Sequence, residues 1–474
     1  MVFSSAVFLF AFLPVTLLLY FVPVFGKDVK KEIGKKNLVL CVVSLIFYAW
    51  GEPVHIFLMV LSIVFNYLVG IDMENRKEQG KSSKAIFLLC LAFNLFSLGF
   101  FKYSGFIVNN INSIFGSEID YTAPALPIGI SFYTFQILSY IIDVYKGELK
   151  AQKNLVYFAS YVTMFPQLIA GPIVQYSDIE KQLTNRRVTS GKFLNGIIYF
   201  VKGLGKKVLF ANTIGAVYTE IMSLGDVKEL SVVTSWIAII CYTLQIYFDF
   251  SGYSDMAVGL GKMFGFDFVQ NFNFPYKASS ITDFWRRWHI SLSSWFRDYV
   301  YIPLGGNRKG TPRTIINILI VWSLTGMWHG AAWNFVAWGA FYGILLIAEK
   351  YLLKNFLEKI PVFLKHIGTM IVVMLGWVFF SSESLSVAIS FIGSMIGLNK
   401  NGFTDSQSVY YLTSYGFAIV AMALSSFGFF DSMPKLGGRK YYRYVAVAGY
   451  TVVFALCIAY LISETYNPFL YFRF

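Results

Sequence analysis

The stretch TIINILIVWSLTGMWHGAAWNFVAWGAFYGILLIAEK, residues 314–350, decides the fold class of this chain. It holds two apolar runs, at 314–330 and 334–350, without the alternation of apolar and polar residues typical of a half-buried strand. Only helices and closed barrels can span lipid, because every backbone polar group must then be satisfied within the protein. Continuous apolar runs therefore predict membrane helices rather than a barrel.

The rest of the chain has the same character. Of its 474 residues, 56% are hydrophobic and 14% are charged, whereas a soluble domain carries about 25% charged residues. This composition excludes a disordered chain, a collagenous chain and an ordinary soluble enzyme. Further apolar runs begin with 5–25 and recur along the chain, at about 37–51, 54–71, 85–102, 125–145, 196–215, 232–250, 366–380, 411–428 and 444–462.

We therefore predict an all-α, polytopic transmembrane bundle of about 11–13 spans, with re-entrant or interfacial helices in addition. No internal repeat and no long linker interrupts the sequence, so residues 1–474 are predicted to form a single membrane domain. Segment 155–173 contains Pro166, Gly171 and Pro172. Because broken backbone is tolerated only away from lipid, we predict that this segment is re-entrant or tilted into a cavity.

The distribution of charge predicts the sidedness of the helices. The formal net charge is +13, and Lys-rich segments at 26–36, 72–84 and 146–154 contrast with 103–124, which has neither Lys nor Arg. Cytoplasmic loops of membrane proteins are enriched in Lys and Arg, so the basic loops are assigned to the cytoplasm and both termini to the outside. Loop 429–443 is basic as well. The same bias explains the net charge without nucleic acid as a partner.

Several kinds of site are not supported by the sequence. The four cysteines lie far apart in apolar runs with no Cys-x-x-Cys pair, so we predict buried thiols and neither a metal site nor a disulfide framework. A Walker A motif and a Gly-x-Ser-x-Gly elbow are both missing from the sequence. ATP-driven transport and serine hydrolysis are therefore unsupported.

The stretch 271–338 is the richest in side chains that can carry chemistry, with seven of the ten Trp and two of the four His. Thr282 and Asp283 are typical helix caps, and they predict a helix that runs toward Pro303. Helical spacing places four residues on one face of it: Trp285, Trp288, His289 and Leu292. Two interpretations of His289 stay open, an inward-facing functional imidazole and a core histidine bonded to backbone.

His329 lies between Trp328 and Gly330 in the stretch quoted first. If its helix begins at about Thr314, His329 lies roughly 22 Å along it, which is deep in the membrane. An ionisable group at that depth is costly and is by default a candidate for function, and imidazole can take and return a proton near neutral pH. The alternative is a neutral core histidine bonded to a neighbour such as Asn334.

A third polar stretch runs from Gln245 to Asp255, with the sequence QIYFDFSGYSD. Gln245 and Asp249 are i, i+4 neighbours at the predicted end of a span, and Tyr253 follows one turn later. These side chains predict either the polar lining of a reaction chamber or interhelical hydrogen bonds that hold the bundle together.

Taken together, these motifs resemble the membrane-bound O-acyltransferase family, and specifically its bacterial branch of alginate O-acetylases and peptidoglycan O-acetylation proteins. The strings that carry the resemblance span most of the chain in order. They are LPIGISFYTFQILSYIIDVYKG from Leu126, FPQLIAGPIV from Phe165, QIYFDFSGYSDMAVGLG from Gln245, NFNFPY from Asn271, FWRRWHISLSSWFRDYVYIPLGG from Phe284, GMWHGAAWNFVAWG from Gly326 and YNPFLYF from Tyr466. The chain departs from the pattern at Ser381, where such relatives tend to carry Arg.

The resemblance implies helices around a central tunnel, with the signature histidine of the family at His329 and the second motif histidine, which is Asn elsewhere in the family, at His289. It also implies an acyl thioester donor on the cytoplasmic side, acetyl-CoA by expectation, and no permanently bound cofactor. Acetyl is expected to pass outward to a polysaccharide acceptor or to an extracytoplasmic transferase of the SGNH type, from a protein in the inner (cytoplasmic) membrane. The expected lining of the tunnel is Trp328, Asn334, Gln245, Asp249, Tyr253, Trp285 and Trp288.

The chemistry of the residues fits this expectation. Acyl transfer to a hydroxyl needs a base, for which His329 is the candidate, while His289 could orient the donor or stabilise charge. Arg suits phosphate, so Arg286, Arg287 and Arg297 are candidates to bind coenzyme A, although each is equally well explained as a positive-inside anchor.

Three alternatives stay open on the sequence alone. Within the family, the reaction could be O-acetylation of peptidoglycan or D-alanyl transfer to teichoic acid. A transporter or flippase would suit a polytopic bundle with a broken helix. A purely structural scaffold is the third alternative. The alginate-acetylase-like strings favour acetylation of an exopolysaccharide, by analogy alone.

Overall fold

A computed structural model describes residues 1–22, 29–398, 400–429, 440–463, 466–468 and 470. The described residues form helices and connecting turns, and none of them lies in a β-strand, as the apolar runs predicted. They divide into two compact units, one of 1–200 with 254–270 and one of 201–253 with 271–474. The prediction of a single membrane domain stays a prediction, and each unit is described here by itself.

The first unit consists mainly of apolar helices. Their bounds are Leu13–Phe21, Val29–Ala49, Ile56–Glu78, Lys84–Phe115, Ile130–Lys146, Leu155–Thr163, Phe165–Leu168 and Tyr176–Thr184. The chain passes into the second unit within Ser190–Gly205 and crosses the unit boundary again within Val232–Met263. A single π-helical turn, Phe8–Phe12, precedes the first of these helices.

Segment 155–173 of the first unit is a broken helix, as its prolines and glycine predicted. The helix Leu155–Thr163 ends at Met164, whose backbone is not helical, and a short helix Phe165–Leu168 begins immediately after it. The residues from 160 to 174 are buried without exception. The break therefore lies where protein, not solvent or lipid, surrounds the irregular backbone. Its course relative to the membrane stays a prediction.

The second unit carries the residues singled out for chemistry. Its further helices are Asn212–Met222, Ile281–Arg287, Ile290–Phe296, Thr311–His329, Trp333–Tyr351, Lys354–Lys359, Val362–Ser381, Leu385–Met395, Ser406–Ser426 and Lys440–Ser463. Two π-helical turns, Lys206–Ala211 and Arg297–Tyr301, and two 3₁₀ turns, Val227–Glu229 and Pro275–Lys277, complete it.

The pair Thr311–His329 and Trp333–Tyr351 corresponds to the two apolar runs quoted at the outset. These helices are joined by three residues and pack closely because glycines face each other across the contact. A Cβ atom added to Gly326 would lie 2.4 Å from the Phe335 carbonyl oxygen and 3.2 Å from the Gly339 Cα. Added to Gly339, it would lie 2.4 Å from the Trp322 carbonyl oxygen. The small residues thus allow backbone to approach backbone.

Six of the described helices are long and apolar enough to cross a membrane, judged by length and composition. They are Ile56–Glu78, Lys84–Phe115, Val232–Met263, Val362–Ser381, Ser406–Ser426 and the 445–463 part of the last helix. The larger number of about 11–13 spans and the sidedness stay predictions. Most of the basic loop 429–443 lies outside the described residues.

Candidate active site

His329 is the last residue of the helix Thr311–His329, where the chain turns into the second helix of the pair. Its side chain is 4% exposed. Three aromatic rings surround the imidazole edge to face, with centroid distances of 5.0 Å to Trp328, 5.0 Å to Trp338 and 5.2 Å to Phe380. The alternative partner Asn334 donates its amide hydrogens to the carbonyls of Phe379 and Ser382 rather than to this ring.

His289 lies at a helix break, which corrects the predicted continuous helix toward Pro303. Ser280, not Thr282 or Asp283, caps the first helix, because its hydroxyl accepts from the Asp283 N–H at 3.0 Å. That helix ends at Arg287, and a second begins at Ile290. Spacing within one helix therefore does not describe how Trp285, Trp288, His289 and Leu292 are arranged.

The backbone of His289 explains the break. Its φ of 45° lies in the left-handed region, where side chains with a Cβ are rarely found outside turns and functional sites. Such a conformation cannot continue a right-handed helix, so the second helix leaves in a new direction. The imidazole itself is 1% exposed. The residue with the strained backbone therefore carries a buried polar ring, and it lies at the junction of the two helices.

Asn271 holds His289 in this position. The Asn271 side-chain oxygen accepts from the Ser291 N–H at 3.2 Å and the Ser291 hydroxyl at 2.9 Å, and it lies 3.2 Å from His289 Nδ1. An amide oxygen only accepts hydrogen bonds, so Nδ1 carries the proton and Nε2 is the acceptor nitrogen of the ring. The Asn271 carbonyl also accepts from the Ile290 N–H at 3.0 Å.

Burial also fixes the charge of His289, which lies outside the six candidate spans. Desolvation disfavours the protonated ring and lowers the pKa of His289 to about 3. The imidazole is therefore neutral throughout the physiological range. A neutral ring with its proton on Nδ1 can accept a hydrogen bond at Nε2, whereas it cannot contribute a positive charge.

Both histidines line one cavity of about 250 Å³ in the second unit, which we call the histidine cavity. Three other predicted residues line it as well, namely Trp285, Arg286 and Arg297. The remaining lining residues are Thr282, Leu292, Ser293, Phe296, Tyr301, Val321, Trp322, Thr325 and Leu346. The site thus combines two imidazoles, apolar walls and two guanidinium groups, as a small-molecule site with a few polar groups does.

The three candidate arginines differ in their surroundings. Arg286 and Arg297 are exposed residues of the histidine cavity. Arg297 binds Asp298 with two hydrogen bonds, at 2.7 and 3.0 Å, which leaves Arg286 the more available of the two. Arg287 lies outside the lining and binds Asp283 at 2.8 Å, four residues before it on the same helix. Its guanidinium therefore has a local structural role.

The two candidate tryptophans 328 and 288 pack behind the cavity. The Trp328 ring lies 5.9 Å from the His289 ring and 5.0 Å from the His329 ring, so it fills the space between the two imidazoles. Trp288 packs against Trp377 at 4.8 Å in the aromatic core. Neither residue is among those that line the histidine cavity. Both are buried, and Trp328 contacts both imidazoles.

Gln245 and Asn334 line a second cavity of about 320 Å³ in the same unit, which we call the hydroxyl cavity. Side chains with hydroxyl groups dominate its polar lining, namely Tyr218, Thr219, Tyr242, Ser381, Ser382 and Tyr466. Glu383 contributes a carboxylate, and Phe335 and Phe380 contribute rings. Gln245 and Asn334 therefore line the same cavity, but neither of them lines the histidine cavity.

Asp249 forms a buried ion pair and lines neither of the two cavities. Its carboxylate lies 2.6 Å from Lys207 Nζ, with side-chain exposures of 2% and 4%. It also accepts from the Leu470 N–H at 2.9 Å, and Lys207 donates to the Pro468 carbonyl. The helix Val232–Met263 continues well past Asp249, so Asp249 does not lie at a helix end, and the end of the span stays a prediction. Tyr253 is buried and lines neither cavity.

No group of three or more His, Cys, Asp or Glu suited to a metal ion occurs among the described residues. The four cysteines are buried free thiols. The second unit does contain side chains of the kinds that acyl transfer requires. A proton acceptor that lines a cavity can activate a hydroxyl, and aromatic rings packed around it limit the access of bulk water.

Comparison with known sequences identifies the family. The sequence profile of the membrane-bound O-acyltransferase family matches residues 144–392, more than half of the chain and the whole of the histidine cavity. The chain belongs to this family. It is therefore an O-acyltransferase that uses an acyl donor, and a multi-pass membrane protein.

Named relatives match over most or all of this acyltransferase. It is 40% identical to the probable alginate O-acetylase of Pseudomonas putida, over 100% of both chains. It is 44% identical to the probable alginate O-acetylase of Pseudomonas aeruginosa, over 82% of this chain and 73% of the relative. The peptidoglycan O-acetyltransferase of Helicobacter pylori is 36% identical over 84% of this chain and 80% of its own.

Three important residues of this acyltransferase escaped the sequence reasoning. Asn271, the partner of His289, lies 18 residues away and carries no spacing signal, although it opens the motif NFNFPY. Lys207 offered a signal, because a lysine within the apolar run 196–215 needs a buried partner. Phe380 is one phenylalanine among 48. Only its contact with the His329 ring distinguishes it.

Proposed function

We propose that this acyltransferase moves an acetyl group from a cytoplasmic thioester, acetyl-CoA, to hydroxyl groups of an extracytoplasmic polysaccharide. An alginate-like exopolysaccharide is the proposed acceptor, and the cytoplasmic (inner) membrane is the proposed location. The observation that carries the proposal is the histidine cavity, in which two buried imidazoles meet two arginines in a chain 40% identical to an alginate O-acetylase over its full length.

His329 is the proposed general base. Its imidazole would take the proton from the attacking hydroxyl, and the oxygen would bond to the acetyl carbonyl carbon. When the tetrahedral intermediate collapses, the carbon–sulfur bond breaks, and the imidazolium returns the proton to the thiolate. The products are one acetyl ester and one free thiol. A base near its working pKa contributes about 10²- to 10⁴-fold to such a step.

His289 is proposed to orient the donor. Its Nδ1 proton points to Asn271, so its Nε2 can accept a hydrogen bond from a donor or acceptor molecule in the cavity. Arg286 and Arg297 lie at the exposed part of the lining and are proposed to bind the phosphates of coenzyme A. Arg287 is a weaker candidate because Asp283 already binds it.

The hydroxyl cavity is the proposed approach of the acceptor. Gln245 and Asn334 can exchange hydrogen bonds with sugar hydroxyls there, alongside the tyrosine, serine and threonine side chains of its lining. An extracytoplasmic transferase of the SGNH type is the proposed partner that would carry the acetyl group to the polymer. Acetylation of peptidoglycan is the second candidate, because the Helicobacter pylori relative matches over 84% of this chain.

The test compares ester-linked acetate in cells that carry wild-type protein or His329→Ala at matched membrane abundance. Acetate is measured separately on secreted polysaccharide and on cell wall, and ester-linked D-alanine is measured in parallel. His366→Ala is the control, since His366 lies outside both cavities and contacts the Ala278 carbonyl at 2.9 Å. We expect His329→Ala to lose at least about 99% of the ester, as removal of a general base predicts, and His366→Ala to retain it.

Loss of acetate from secreted polysaccharide alone would support the proposed acceptor. Loss from the cell wall alone would replace it with peptidoglycan, and loss of ester-linked D-alanine would replace acetyl as the acyl group. If His329→Ala left all three esters unchanged, transfer to a glycan would be refuted.

A further inference from the structure

The histidine cavity and the hydroxyl cavity approach each other at one side chain. His329 lines the first, Phe380 lines the second, and their rings are in edge contact at a centroid distance of 5.2 Å and an angle of 76°. Phe380 is 3% exposed. The Phe380 ring thus contacts the proposed base and also lines the hydroxyl cavity.

The packing around Phe380 holds this ring in place. It contacts Phe335 at 5.2 Å, Trp338 at 5.5 Å and Trp377 at 5.6 Å, each at a steep angle. Four aromatic neighbours, counting the His329 imidazole, restrict the ring to this orientation. One of these neighbours, the His329 imidazole, lines the histidine cavity, while Phe380 itself lines the hydroxyl cavity. The neighbouring Phe379 ring faces elsewhere and contacts Phe341 at 5.7 Å.

We propose that Phe380 is a barrier between the two cavities, which keeps water of the hydroxyl cavity from His329 and yields only when an acceptor hydroxyl enters. This proposal rests on the proposed function. Phe380 acts through the base and through exclusion of water, so it is a positioning residue and forms no bond with the reacting atoms.

The need for a barrier follows from the reaction. A base that can activate a sugar hydroxyl can equally activate water, which would attack the thioester carbonyl. A carbon–oxygen bond would form, the carbon–sulfur bond would break, and acetate and a free thiol would leave. Each such event uses a donor without modifying the acceptor. Exclusion of water by an apolar ring suppresses this reaction without weakening the base.

The experiment measures two products in inside-out membrane vesicles from producing cells supplied with acetyl-CoA. Free thiol reports every cleaved donor, and ester-linked acetate on glycan reports productive transfer. Vesicles with His329→Ala provide the blank for other thioesterases. We expect Phe380→Ala to raise the ratio of thiol to ester by about tenfold, because a tenfold change corresponds to only about 1.4 kcal/mol of lost barrier. Phe380→Leu should show a smaller rise.

Phe379→Ala is the matched control, because it removes the same side chain one residue away and leaves the barrier intact. The ratio in this variant should equal that of the wild type. If Phe380→Ala does not accumulate in membranes, Phe380→Leu and Phe380→Tyr decide, since both keep most of the packed volume. A wild-type ratio in every folded Phe380 variant would overturn the barrier.

The proposed function can fail separately in the same assay. If wild-type vesicles release thiol above the blank but form no acetate ester, the acceptor assignment is wrong, and the barrier falls with it. If wild-type vesicles form ester and the Phe380 variants keep the ratio unchanged, only the barrier is wrong.

Discussion

Two groups of buried polar side chains lie in the second unit, and the protein compensates their burial in opposite ways. Lys207 and Asp249 face each other at 2.6 Å, and the remaining hydrogen-bonding capacity of the pair goes to backbone groups of Pro468 and Leu470. In the histidine cavity, by contrast, three aromatic rings contact the His329 imidazole edge to face. An opposite charge accompanies burial at the first site, and aromatic packing accompanies it at the second.

The difference separates structure from chemistry. A buried ion pair that also binds backbone groups fixes the chain segments that it joins. A buried neutral imidazole keeps a basic nitrogen that a substrate can reach, at the price of desolvation that lowers the pKa of His289 to about 3. Replacing a residue of the ion pair should therefore have different consequences from replacing a histidine of the cavity, although both are buried.

The largest effect on stability should come from the ion pair. Asp249→Asn keeps the shape of the side chain and its ability to accept from the Leu470 N–H, but it leaves the charge of Lys207 buried without its counter-ion. Breaking a buried pair in this way costs about 3–5 kcal/mol. We expect a clear loss of thermal stability in detergent and of abundance in membranes.

Asp283→Asn is the control for this change. Its pair with Arg287 has side chains about one third exposed, and pairs of that kind contribute about 0–1 kcal/mol. The double variant Lys207→Met with Asp249→Leu should recover much of the stability, because apolar side chains can replace a buried pair. If Asp249→Asn proved no less stable than Asp283→Asn, the structural role of the pair would be refuted.

A smaller effect, on activity alone, is expected at His289. Asparagine is among the residues that tolerate left-handed backbone, so His289→Asn should preserve the helix break at the observed φ of 45°. Loss of one hydrogen bond to a substrate corresponds to about 1–3 kcal/mol, or about 5- to 150-fold in kcat/KM. His289→Ala should lose a similar amount of activity and, in addition, some thermal stability.

The pH dependence provides a second readout for His289. The pKa of this ring is depressed to about 3, so its charge does not change between pH 5 and pH 8. The rate profile of His289→Asn should therefore be lower than that of the wild type but parallel to it in this range. An acid limb present in the wild type and missing in His289→Asn would contradict a neutral imidazole.

Some features of this molecule could be predicted from the sequence, and others could not. The helical class and the family were predictable, because apolar runs and motifs are local properties of the chain. The close approach at Gly326 was predictable as well, since a glycine in a membrane helix indicates contact between backbones. A functional role for His289 stays a prediction, and the structure brings it together with His329, Trp285, Arg286 and Arg297.

The parts that escaped prediction depend on long-range contacts or on backbone strain. The break at His289 overrides a regular helical pattern, and its cause, Asn271, lies 18 residues away in the chain. For Asp249 the sequence left two possibilities open, cavity lining or an interhelical contact, because its partner Lys207 belongs to another helical segment 42 residues earlier and no periodicity relates the two. Gln245 shares its helix with Asp249 but lines a cavity. Two residues spaced four apart on one helix thus lie in different environments, one at a cavity and the other in an ion pair.

The smallest effect should come from the arginines of the histidine cavity. Arg286→Gln removes an exposed guanidinium that lines the cavity, whereas Arg287→Gln removes its neighbour, which binds Asp283 instead. Exposed charges contribute up to about 1 kcal/mol, so we expect Arg286→Gln to raise the KM for acetyl-CoA about fivefold with kcat unchanged. Salt screens such contacts, and the difference from wild type should shrink in 0.5 M salt. Arg287→Gln should keep the wild-type KM at both salt concentrations. Equal KM values for the two variants at low salt would assign both arginines to anchoring at the membrane surface rather than to the donor.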